Sequence, residues 1–412
     1  MAGYAARNKP SEGVAQELFA RGVAFVDPQG NRLVSISLDL IGVPRWLRLE
    51  LNDLLQQRYG LSPQQWIVNA SHTHCGPELR LQYVEEGSPS AERQAQVERY
   101  QQLLKTTIVE LVGQCLEHLQ PVHVGFSFAR CGFAMNRRHP GAQEPTLNPY
   151  PDGPVDHQVP VLRVVTPDKQ IVAILFSYAC HNTTLSFYQL CGDYAGYAQE
   201  YLEQAHPGCV AAFLTGCAGD QNPYPRGSLE LAQQHGRTLA NAVEAALLPA
   251  AEWLTGPLKI GWREVTLHFA PLPSRDLLME RTQNANRWLA RHARYWLEQL
   301  NSGKDIDLNY PYWIQLVDWG GVTWIALSGE VVVDYSLRLK RELPNSRTWI
   351  LGYSNDVFGY VPSLRVLREG GYEGRTAMYY TRLPGPFAED VEELIIQNVH
   401  ELYREVHQQP EP

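Results

Sequence analysis

Residues 159–184 of the 412-residue chain are VPVLRVVTPDKQIVAILFSYACHNTT. Two runs rich in β-branched residues, Val159–Val165 and Ile171–Tyr178, are joined by the turn residues Thr166-Pro-Asp-Lys, which predicts two neighbouring strands. His181 follows the second run in a polar turn. Because α/β proteins gather functional groups where the strands of a sheet end, this stretch predicts a buried sheet with a site at its edge.

Short apolar runs and longer helical patterns alternate along the rest of the chain. They predict an α/β (mixed α+β) fold in which central mixed sheets are flanked by helices. No linker-like segment and no internal repeat is visible, so we expect residues 1–412 to form a single large domain. The longest segment expected to be irregular, and therefore to lie near a site, is Arg137–Val155. The other predicted strands are Gly22–Asp27, Arg32–Asp39, Trp66–Ser71, Val122–Phe133, Cys209–Leu214, Leu258–Leu267, Trp313–Trp319, Val322–Leu327 and Thr348–Tyr353, and the predicted helices are Pro44–Tyr59, Ala91–Leu119, Tyr194–Ala205, Leu229–Leu247, Ser274–Leu300, Val331–Leu343 and Glu389–Val406.

The composition is that of a folded globular protein, with 44% hydrophobic and 19% charged residues. The net charge of -9 provides no positive field to attract a polyanion, which argues against nucleic-acid binding. The 7 cysteines form no CxxC pair, and their odd number fits a reducing compartment. No apolar stretch approaches the roughly 18 residues of a membrane span, and no secretory signal is visible. The expected location is the cytoplasm, or outside it if the natural start lies upstream.

The strongest local motif is SHTHCGP, in which His72 and His74 follow a short buried strand. Residues two apart in a strand project from the same face, so the two imidazoles are expected to point together. They could share one metal, could act as ligand and general base, or could simply donate to backbone carbonyls. A nucleophilic pair of Cys75 with a histidine is a further alternative.

Other polar motifs also follow apolar runs. The segment TGCAGDQNP (residues 215–223) contains Asn222 and matches neither a phosphate loop nor a nucleophile elbow. Glu330 is expected to open a helix after LSG, and Tyr360 and Tyr372 lie in loops. Together with the histidines, these residues predict a metal site of nitrogen and oxygen ligands, as in a zinc hydrolase.

The order and spacing of these motifs resemble the N-terminal catalytic domain of the neutral/alkaline (non-lysosomal) ceramidase family. The resemblance extends from about Gly3 to Tyr380. Members of that family bind one zinc ion through two His, one Glu and one Tyr, and hydrolyse the amide bond of N-acylsphingosine. The motifs that carry the resemblance are SHTHCGP, AMNRRHP, VDHQVPVLRV, SYACHNTT, GDYAGYAQE, TGCAGDQNP, LSGE, YSNDVFGYVPS and GYEGRTAMYY.

The resemblance implies one Zn²⁺ per chain and assigns roles to individual residues. His74 would accept the proton of a water molecule that the metal activates. Arg137 and Tyr372 would stabilise the developing oxyanion. The implied zinc ligands are His72, His181, Glu330 and Tyr360.

This sequence departs from the family pattern in three ways. Asn222 stands where the family has a serine, so an acyl-enzyme through this position is not expected. Arg138 replaces the serine that follows the family arginine. The chain also matches the catalytic domain without the C-terminal immunoglobulin-like domain of known ceramidases, which makes a long-chain membrane lipid a less suitable substrate.

Three functions follow from this sequence. The first is a zinc-dependent, ceramidase-like hydrolase that cleaves a linear N-acyl amide bond by zinc-activated water. The second keeps the zinc but acts on a smaller N-acyl compound, such as an acylated amino sugar or amino acid, or on an ester or lactone. The third is a non-catalytic binding protein on the same scaffold. The expected partner is a small-molecule or lipid N-acyl substrate.

Overall fold

The computed structural model describes residues 1–80, 90–303 and 305–408. It confirms the predicted mixed α/β class, with several sheets and helices around them. The strands are β1 (Gly13–Val14), β2 (Ala20–Val26), β3 (Arg32–Leu38), β4 (Trp66–Ala70), β5 (His123–Arg130), β6 (Ala134–His139), β7 (Thr146–Tyr150), β8 (Gln158–Val165), β9 (Ile171–Tyr178), β10 (Gln189–Leu190), β11 (Val210–Thr215), β12 (Gln221–Pro223), β13 (Glu252–Trp253), β14 (Leu258–His268), β15 (Asn309–Trp319), β16 (Val322–Leu327), β17 (Glu330–Val331), β18 (Thr348–Leu351) and β19 (Tyr360–Val361). The helices are α1 (Arg45–Tyr59), α2 (Ala91–Glu117), α3 (Asp193–Ala205), α4 (Leu229–Leu247), α5 (Arg275–Arg281), α6 (Arg287–Asn301), α7 (Val333–Glu342), α8 (Leu364–Glu369), α9 (Gly371–Gly374) and α10 (Val391–Gln408), with 3₁₀ turns at Pro63–Gln65 and Thr376–Tyr380.

Two sheets form the centre of the molecule. The first has five strands in the order β11-β9-β8-β5-β13, and the second has four in the order β14-β15-β16-β18. Apolar side chains from both sheets meet in one buried cluster that includes Leu162, Leu175, Trp324 and Trp349. Burial between two layers explains why the sequences of these strands are almost continuously apolar.

Helices cover the outer faces of the sheets. Helices α3 and α4 pack on the five-stranded sheet, where Ala198 and Val243 join Phe176 and Phe213 in a buried cluster. Helices α7 and α10 cover the four-stranded sheet. Helices α1 and α2 pack on a third sheet, of order β2-β3-β4. The amphipathic helices thus bury their apolar faces on the sheets, as their sequence periodicity predicts.

The segment Arg137–Val155 is more regular than predicted. It contains most of the antiparallel pair β6 and β7, to which β12 adds a third strand. Strand β7 lies at the edge of this sheet and is largely exposed. Its sequence, TLNPY, therefore lacks the apolar alternation by which a strand is recognised.

The prediction of one helix over Ser274–Leu300 is wrong. Helix α5 ends at Arg281, and α6 begins at Arg287. The Asn286 side chain accepts hydrogen bonds from the backbone N–H groups of Trp288 and Leu289, which makes it the N-cap of α6. A cap of this kind starts a new helix within a sequence whose apolar periodicity alone suggests a continuous one.

The other predicted elements are present with small shifts at their ends. No helix in the described part of the chain is both long enough and apolar enough to cross a bilayer. The single domain over residues 1–412 stays a prediction, and it includes residues 81–89, 304 and 409–412, which lie outside the described residues.

Candidate metal centre and active-site cavity

The carboxyl ends of β4, β11 and β18, which belong to three different sheets, meet around the buried Asn69. Its side-chain Nδ2 donates to the Gly352 carbonyl at 2.8 Å, and its Oδ1 accepts from the Thr215 N–H at 2.7 Å. One amide can join these strand ends because it both donates and accepts. The loops that leave the three strands therefore begin close together.

The loop after β4 carries His72 and His74. The φ angle of His72 is 60°, in the left-handed region, so the two residues do not share a strand face as their spacing predicted. Their Nε2 atoms nevertheless lie 3.1 Å apart. The Nδ1 atom of His72 lies 2.5 Å from the Ile41 carbonyl oxygen. Because a carbonyl only accepts hydrogen bonds, this Nδ1 carries the proton.

His181 follows β9 and is fixed by the loop after β11. Its backbone N–H donates to the Gln221 carbonyl, and its Nδ1 donates to the Ala218 carbonyl at 2.7 Å. Burial, and then the Arg137 guanidinium, lowers the pKa of His181 to about 3. The imidazole is therefore neutral at neutral pH, with an unprotonated Nε2.

A short parallel ribbon brings Glu330 and Tyr360 together. Strand β17 pairs with β19 in a register that sets Glu330 beside Tyr360. The prediction that Glu330 opens a helix is wrong, since α7 begins only at Val333. Gly329 has a φ of 82°, and a Cβ there would lie 2.6 Å from the Val361 side chain. Glycine before Glu330 thus permits both the turn and the close approach of β19.

Two imidazole nitrogens, a carboxylate oxygen and a phenol oxygen face one another at the centre of the site. Glu330 Oε2 lies 3.2 Å from His72 Nε2 and 3.4 Å from His181 Nε2. The Tyr360 hydroxyl lies 3.2 Å from His181 Nε2. Because His181 is neutral and carries its proton on Nδ1, its Nε2 turns a lone pair toward the carboxylate, and the buried Oε2 has no hydrogen-bond donor in the described part of the chain. Lone pairs this close repel each other unless a cation lies among them, and this donor set suits zinc.

His74 lies close enough to this group to be a further ligand. One ring nitrogen from each of His72, His74 and His181 lies within 4.8 Å of the other two. Burial, and then the neighbouring His72 and His181, lowers the pKa of His74 well below its ordinary value. Its Nδ1 is buried and has no hydrogen-bond partner among the residues that the structure describes. A neutral ring in this position can either take up a proton or bind a metal.

The guanidinium of Arg137 is buried beside the metal centre and contacts four acceptors. Its Nη2 donates to the Tyr360 hydroxyl at 2.9 Å and to the Gly219 carbonyl at 2.8 Å. Its Nη1 donates to Asn222 Oδ1 at 3.1 Å, and its Nε pairs with Glu373 at 2.8 Å. Burial raises the pKa of the Tyr360 phenol, and the Arg137 charge acts against that rise. Arg137 therefore holds Tyr360 and Asn222 in fixed positions.

Glu373 balances the charge of two buried arginines, and the sequence analysis did not identify it. Its Oε1 pairs with Arg137, and its Oε2 pairs with Arg138 Nη1 at 2.7 Å. Glu369 is a second, more exposed partner of Arg138. The available signal was the pair of adjacent arginines in AMNRRHP, because buried guanidinium groups require an acidic partner.

A cavity of about 660 Å³ opens onto these groups, a size typical of small-molecule sites. The fully buried His181 lies behind its wall. The Tyr372 ring lies 5.3 Å from the Tyr360 ring. The structure thus brings together all the site residues that the sequence predicted, and those that line the cavity are His72, His74, Arg137, Asn222, Glu330, Tyr360 and Tyr372.

The structure does not support Cys75 as a nucleophile. Its sulfur contacts the Leu185 carbonyl and Arg7 rather than a histidine. Burial raises the pKa of the Cys75 thiol to about 12. The thiol is therefore protonated at neutral pH and is a weak nucleophile.

Comparison with known proteins gives a consistent family signal. The family model described as neutral/alkaline non-lysosomal ceramidase, N-terminal, matches residues 1–240, which include His72, His74, Arg137, His181 and Asn222. Neutral ceramidase B of Dictyostelium discoideum is 28% identical over 249 residues, or 55% of this chain and 33% of the relative. Neutral ceramidase 1 of Arabidopsis thaliana is 27% identical over 213 residues, or 49% of this chain and 27% of the relative. These matches span about a third or less of the relatives' length.

Two solved structures share the fold. A ceramidase complexed with C2 superposes with a TM-score of 0.76 at 19% identity, covering 100% of this chain and 73% of that one. Neutral ceramidase from Pseudomonas aeruginosa gives a TM-score of 0.71 at 19% identity, covering 95% of this chain and 69% of that one. The similarity extends to the part of the fold that carries Glu330, Tyr360 and Tyr372, beyond the residues that the family model matches.

Proposed function

The chain belongs to the neutral/alkaline non-lysosomal ceramidase family, and from this premise we propose that it is a zinc-dependent hydrolase of a linear N-acyl amide bond. One observation carries the proposal: Glu330 Oε2 lies 3.2 Å from His72 Nε2 and 3.4 Å from His181 Nε2, and no residue in the described part of the chain donates a hydrogen bond to this oxygen. The amide bond is inferred from relatives named as neutral ceramidases.

His72, His181, Glu330 and Tyr360 would hold the metal. The Ile41 and Ala218 carbonyls accept the Nδ1 protons of the two histidines, which fixes the rings with Nε2 facing the centre. Arg137 donates to the Tyr360 oxygen and so favours its anionic form. When bound, zinc supplies Lewis-acid chemistry, acidifying water and polarising a carbonyl group.

The remaining residues divide proton transfer and charge stabilisation between them. His74 would take the proton of the attacking water and return it to the leaving nitrogen. Arg137 and the Tyr372 hydroxyl would donate to the developing oxyanion. Asn222 accepts from Arg137 and from the Thr183 hydroxyl, at 3.1 and 3.3 Å, which suits a positioning role rather than a nucleophile.

We expect purified protein to contain close to one zinc ion per chain, measured by elemental analysis. With zinc supplied, it should hydrolyse at least one member of a panel of N-acyl sphingoid bases, N-acyl amino acids and N-acetylated sugars. Chelation should abolish that activity, and zinc should restore it. A folded protein that takes up no zinc would contradict the metal assignment. A zinc-loaded protein inactive on the whole panel would instead support the alternative of a binding protein.

We expect His74→Ala to keep zinc and to lower kcat by about 10²–10⁴-fold, the usual contribution of a general base. Zinc content and turnover measured on the same preparation test this expectation. The matched control is His139→Ala, an exposed histidine outside the cavity, which should change neither quantity. Loss of zinc in His74→Ala would make His74 a ligand, and unchanged turnover would remove its role in proton transfer.

A further inference from the structure

The rim of the cavity is more positive than the protein as a whole. The chain has a net charge of -9, yet Arg7, Arg226 and Arg287 cluster around Tyr4 and Ala5, and none of the three forms a salt bridge within the described part of the chain. Arg226 Nη2 donates to the Tyr4 hydroxyl at 3.2 Å, Arg287 donates to the Ala5 carbonyl, and the Arg7 guanidinium lies 4.8 Å from the Tyr4 ring. Such a cluster creates a local potential that attracts an anion.

Arg226 is the member of this cluster that lines the catalytic cavity. Its loop is anchored by the Gly227 N–H, which donates to the Thr184 carbonyl at 2.8 Å. The Tyr4 hydroxyl accepts this hydrogen bond from Arg226 and in turn donates one to the Leu185 carbonyl at 2.9 Å. The guanidinium is therefore held at a defined place, and most of its five N–H donors have no hydrogen-bond partner in the described chain.

The other charged side chains of the cavity are already paired. Arg137 binds Glu373, Arg80 binds Glu78 at 2.8 Å, and Glu330 faces the candidate metal ligands. Among the described residues that line the cavity, Arg226 is thus the arginine that forms no salt bridge, although its charge acts at longer range on the buried Asp193. A guanidinium in this state favours a ligand that supplies a carboxylate, which it can bind through two parallel hydrogen bonds.

The position of Arg226 relates its ligand to the amine half of the substrate. The leaving nitrogen must come within hydrogen-bond reach of the group that protonates it, proposed above to be His74. The Tyr4 ring lies 4.8 Å from the His74 ring, and the Tyr4 hydroxyl accepts a hydrogen bond from Arg226. Arg226 therefore lies one tyrosine side chain beyond His74, and our inference places the substituent of the nitrogen on this side.

The cavity also has an aromatic surface, which runs from the metal centre to Trp288, next to Arg287. Aromatic rings of Tyr360, Tyr372, Tyr380 and Trp288 follow one another at centroid distances of 5.3, 6.2 and 5.2 Å, and all four line the cavity. A row of rings can cover an acyl chain by burying its apolar area. The cavity thus offers an aromatic wall for the acyl part and a cation for the amine part.

We infer that the substrate is an N-acyl amino acid whose carboxylate binds Arg226. This inference rests on the proposed hydrolase function and names its substrate class. A sphingoid base or an amino sugar presents neutral hydroxyl groups. A ligand of this kind would contact the Arg226 guanidinium without supplying an anion to balance its charge. Sites that bind a charged group discriminate strongly against analogues that lack it, because the site's own polar groups then lose their partner.

The test compares N-octanoylglycine with N-octanoylethanolamine, which share the acyl chain and the amide but differ in the carboxylate. With zinc-loaded full-length protein, we expect kcat/KM for the glycine conjugate to exceed that for the ethanolamide by at least about 10-fold. Arg226→Gln should raise KM for N-octanoylglycine by about 10–100-fold and bring the ratio of the two kcat/KM values near one. Arg226→Lys keeps the charge but cannot form two parallel hydrogen bonds with a carboxylate. Its ratio of the two kcat/KM values should therefore lie between those of the wild type and Arg226→Gln.

Arg237→Gln is the matched control, because it removes one exposed arginine of α4 that does not line the cavity. It should leave the ratio unchanged. Equal rates for the two substrates in the wild type, or a preference that survives Arg226→Gln, would overturn the carboxylate assignment while leaving the hydrolase proposal intact.

Binding separates the two proposals if neither compound is hydrolysed. In that case, calorimetric titration measures the binding of N-octanoylglycine to the wild type and to Arg226→Gln. Binding that is lost in the variant would support the Arg226 site while the hydrolase proposal fails. Absent binding, or equal binding by both proteins, would overturn the Arg226 site as well.

Discussion

Glu373→Ala is expected to destabilise the protein by about 3–5 kcal/mol, measured as the free energy of unfolding in urea. Glu373 is 2% exposed and pairs with Arg137 and Arg138, which are themselves 5% and 3% exposed. In the metal-free protein, removing the carboxylate leaves Arg137 with the neutral partners Tyr360, Asn222 and a carbonyl, so a buried positive charge remains unbalanced. Arg138 keeps Glu369 and is affected less.

The same substitution should weaken zinc binding. Loss of a negative charge next to Arg137 makes the surroundings of the metal more positive, which disfavours a second cation. Glu373→Gln, with nearly unchanged shape, should show the metal effect with a smaller loss of stability. Glu389→Gln is the control, since its exposed carboxylate pairs with the exposed Arg368 and should leave the unfolding midpoint close to that of the wild type. An unfolding free energy of Glu373→Ala within about 1 kcal/mol of wild type would show that the buried pairs do not stabilise the site.

Glu330→Gln is expected to abolish zinc binding and to lower turnover on the order of 10³-fold or more. The amide can no longer supply the anionic oxygen that faces His72 and His181. The NH₂ group of the new amide can donate a hydrogen bond to an Nε2 lone pair, whereas the ionised carboxylate can only accept. We therefore expect the metal-free variant to unfold at the same temperature as the metal-free wild type, or higher.

Elemental analysis and thermal unfolding of both proteins, with and without a chelator, measure these effects. Glu78→Gln is the matched control, because Glu78 lines the same cavity but is paired with Arg80. The Glu78→Gln variant should retain its zinc. Retention of one zinc ion per chain by Glu330→Gln would exclude Glu330 as a ligand. A large loss of stability in the metal-free variant would contradict the proposed repulsion between the lone pairs.

Much of the site could be predicted because its residues lie in motifs at the ends of apolar runs. His72, His181 and Asn222 each follow a strand that was recognised from its composition, and the family resemblance assigned their roles. The spacing argument for His72 and His74 failed, since the left-handed backbone of His72 is not visible in a residue pattern. Their convergence depends on that conformation, which the surrounding hydrogen bonds impose.

Other residues of the site had no local signal that fixed their role. Glu373 neutralises arginines more than 230 positions earlier in the sequence, at separations of 236 and 235 residues. Asn69 was visible as a polar residue in an apolar strand, but its partners Thr215 and Gly352 are supplied by other sheets. Long-range hydrogen bonds of this kind depend on how the sheets pack and not on the sequence neighbourhood.

The sequence by itself determined the mixed α/β class, the order of most strands and helices, and the set of side chains able to bind a metal, because periodicity and residue chemistry are local properties. Only the tertiary structure decided that the carboxyl ends of three strands from different sheets meet at Asn69 and that a two-residue ribbon sets Glu330 beside Tyr360. It also decided that Arg226 donates to Tyr4, whose ring lies 4.8 Å from the His74 ring, and that Arg226 forms no salt bridge with the described residues. The physical reason is that charge balance and lone-pair repulsion arise between atoms, which folding brings together from distant parts of the chain.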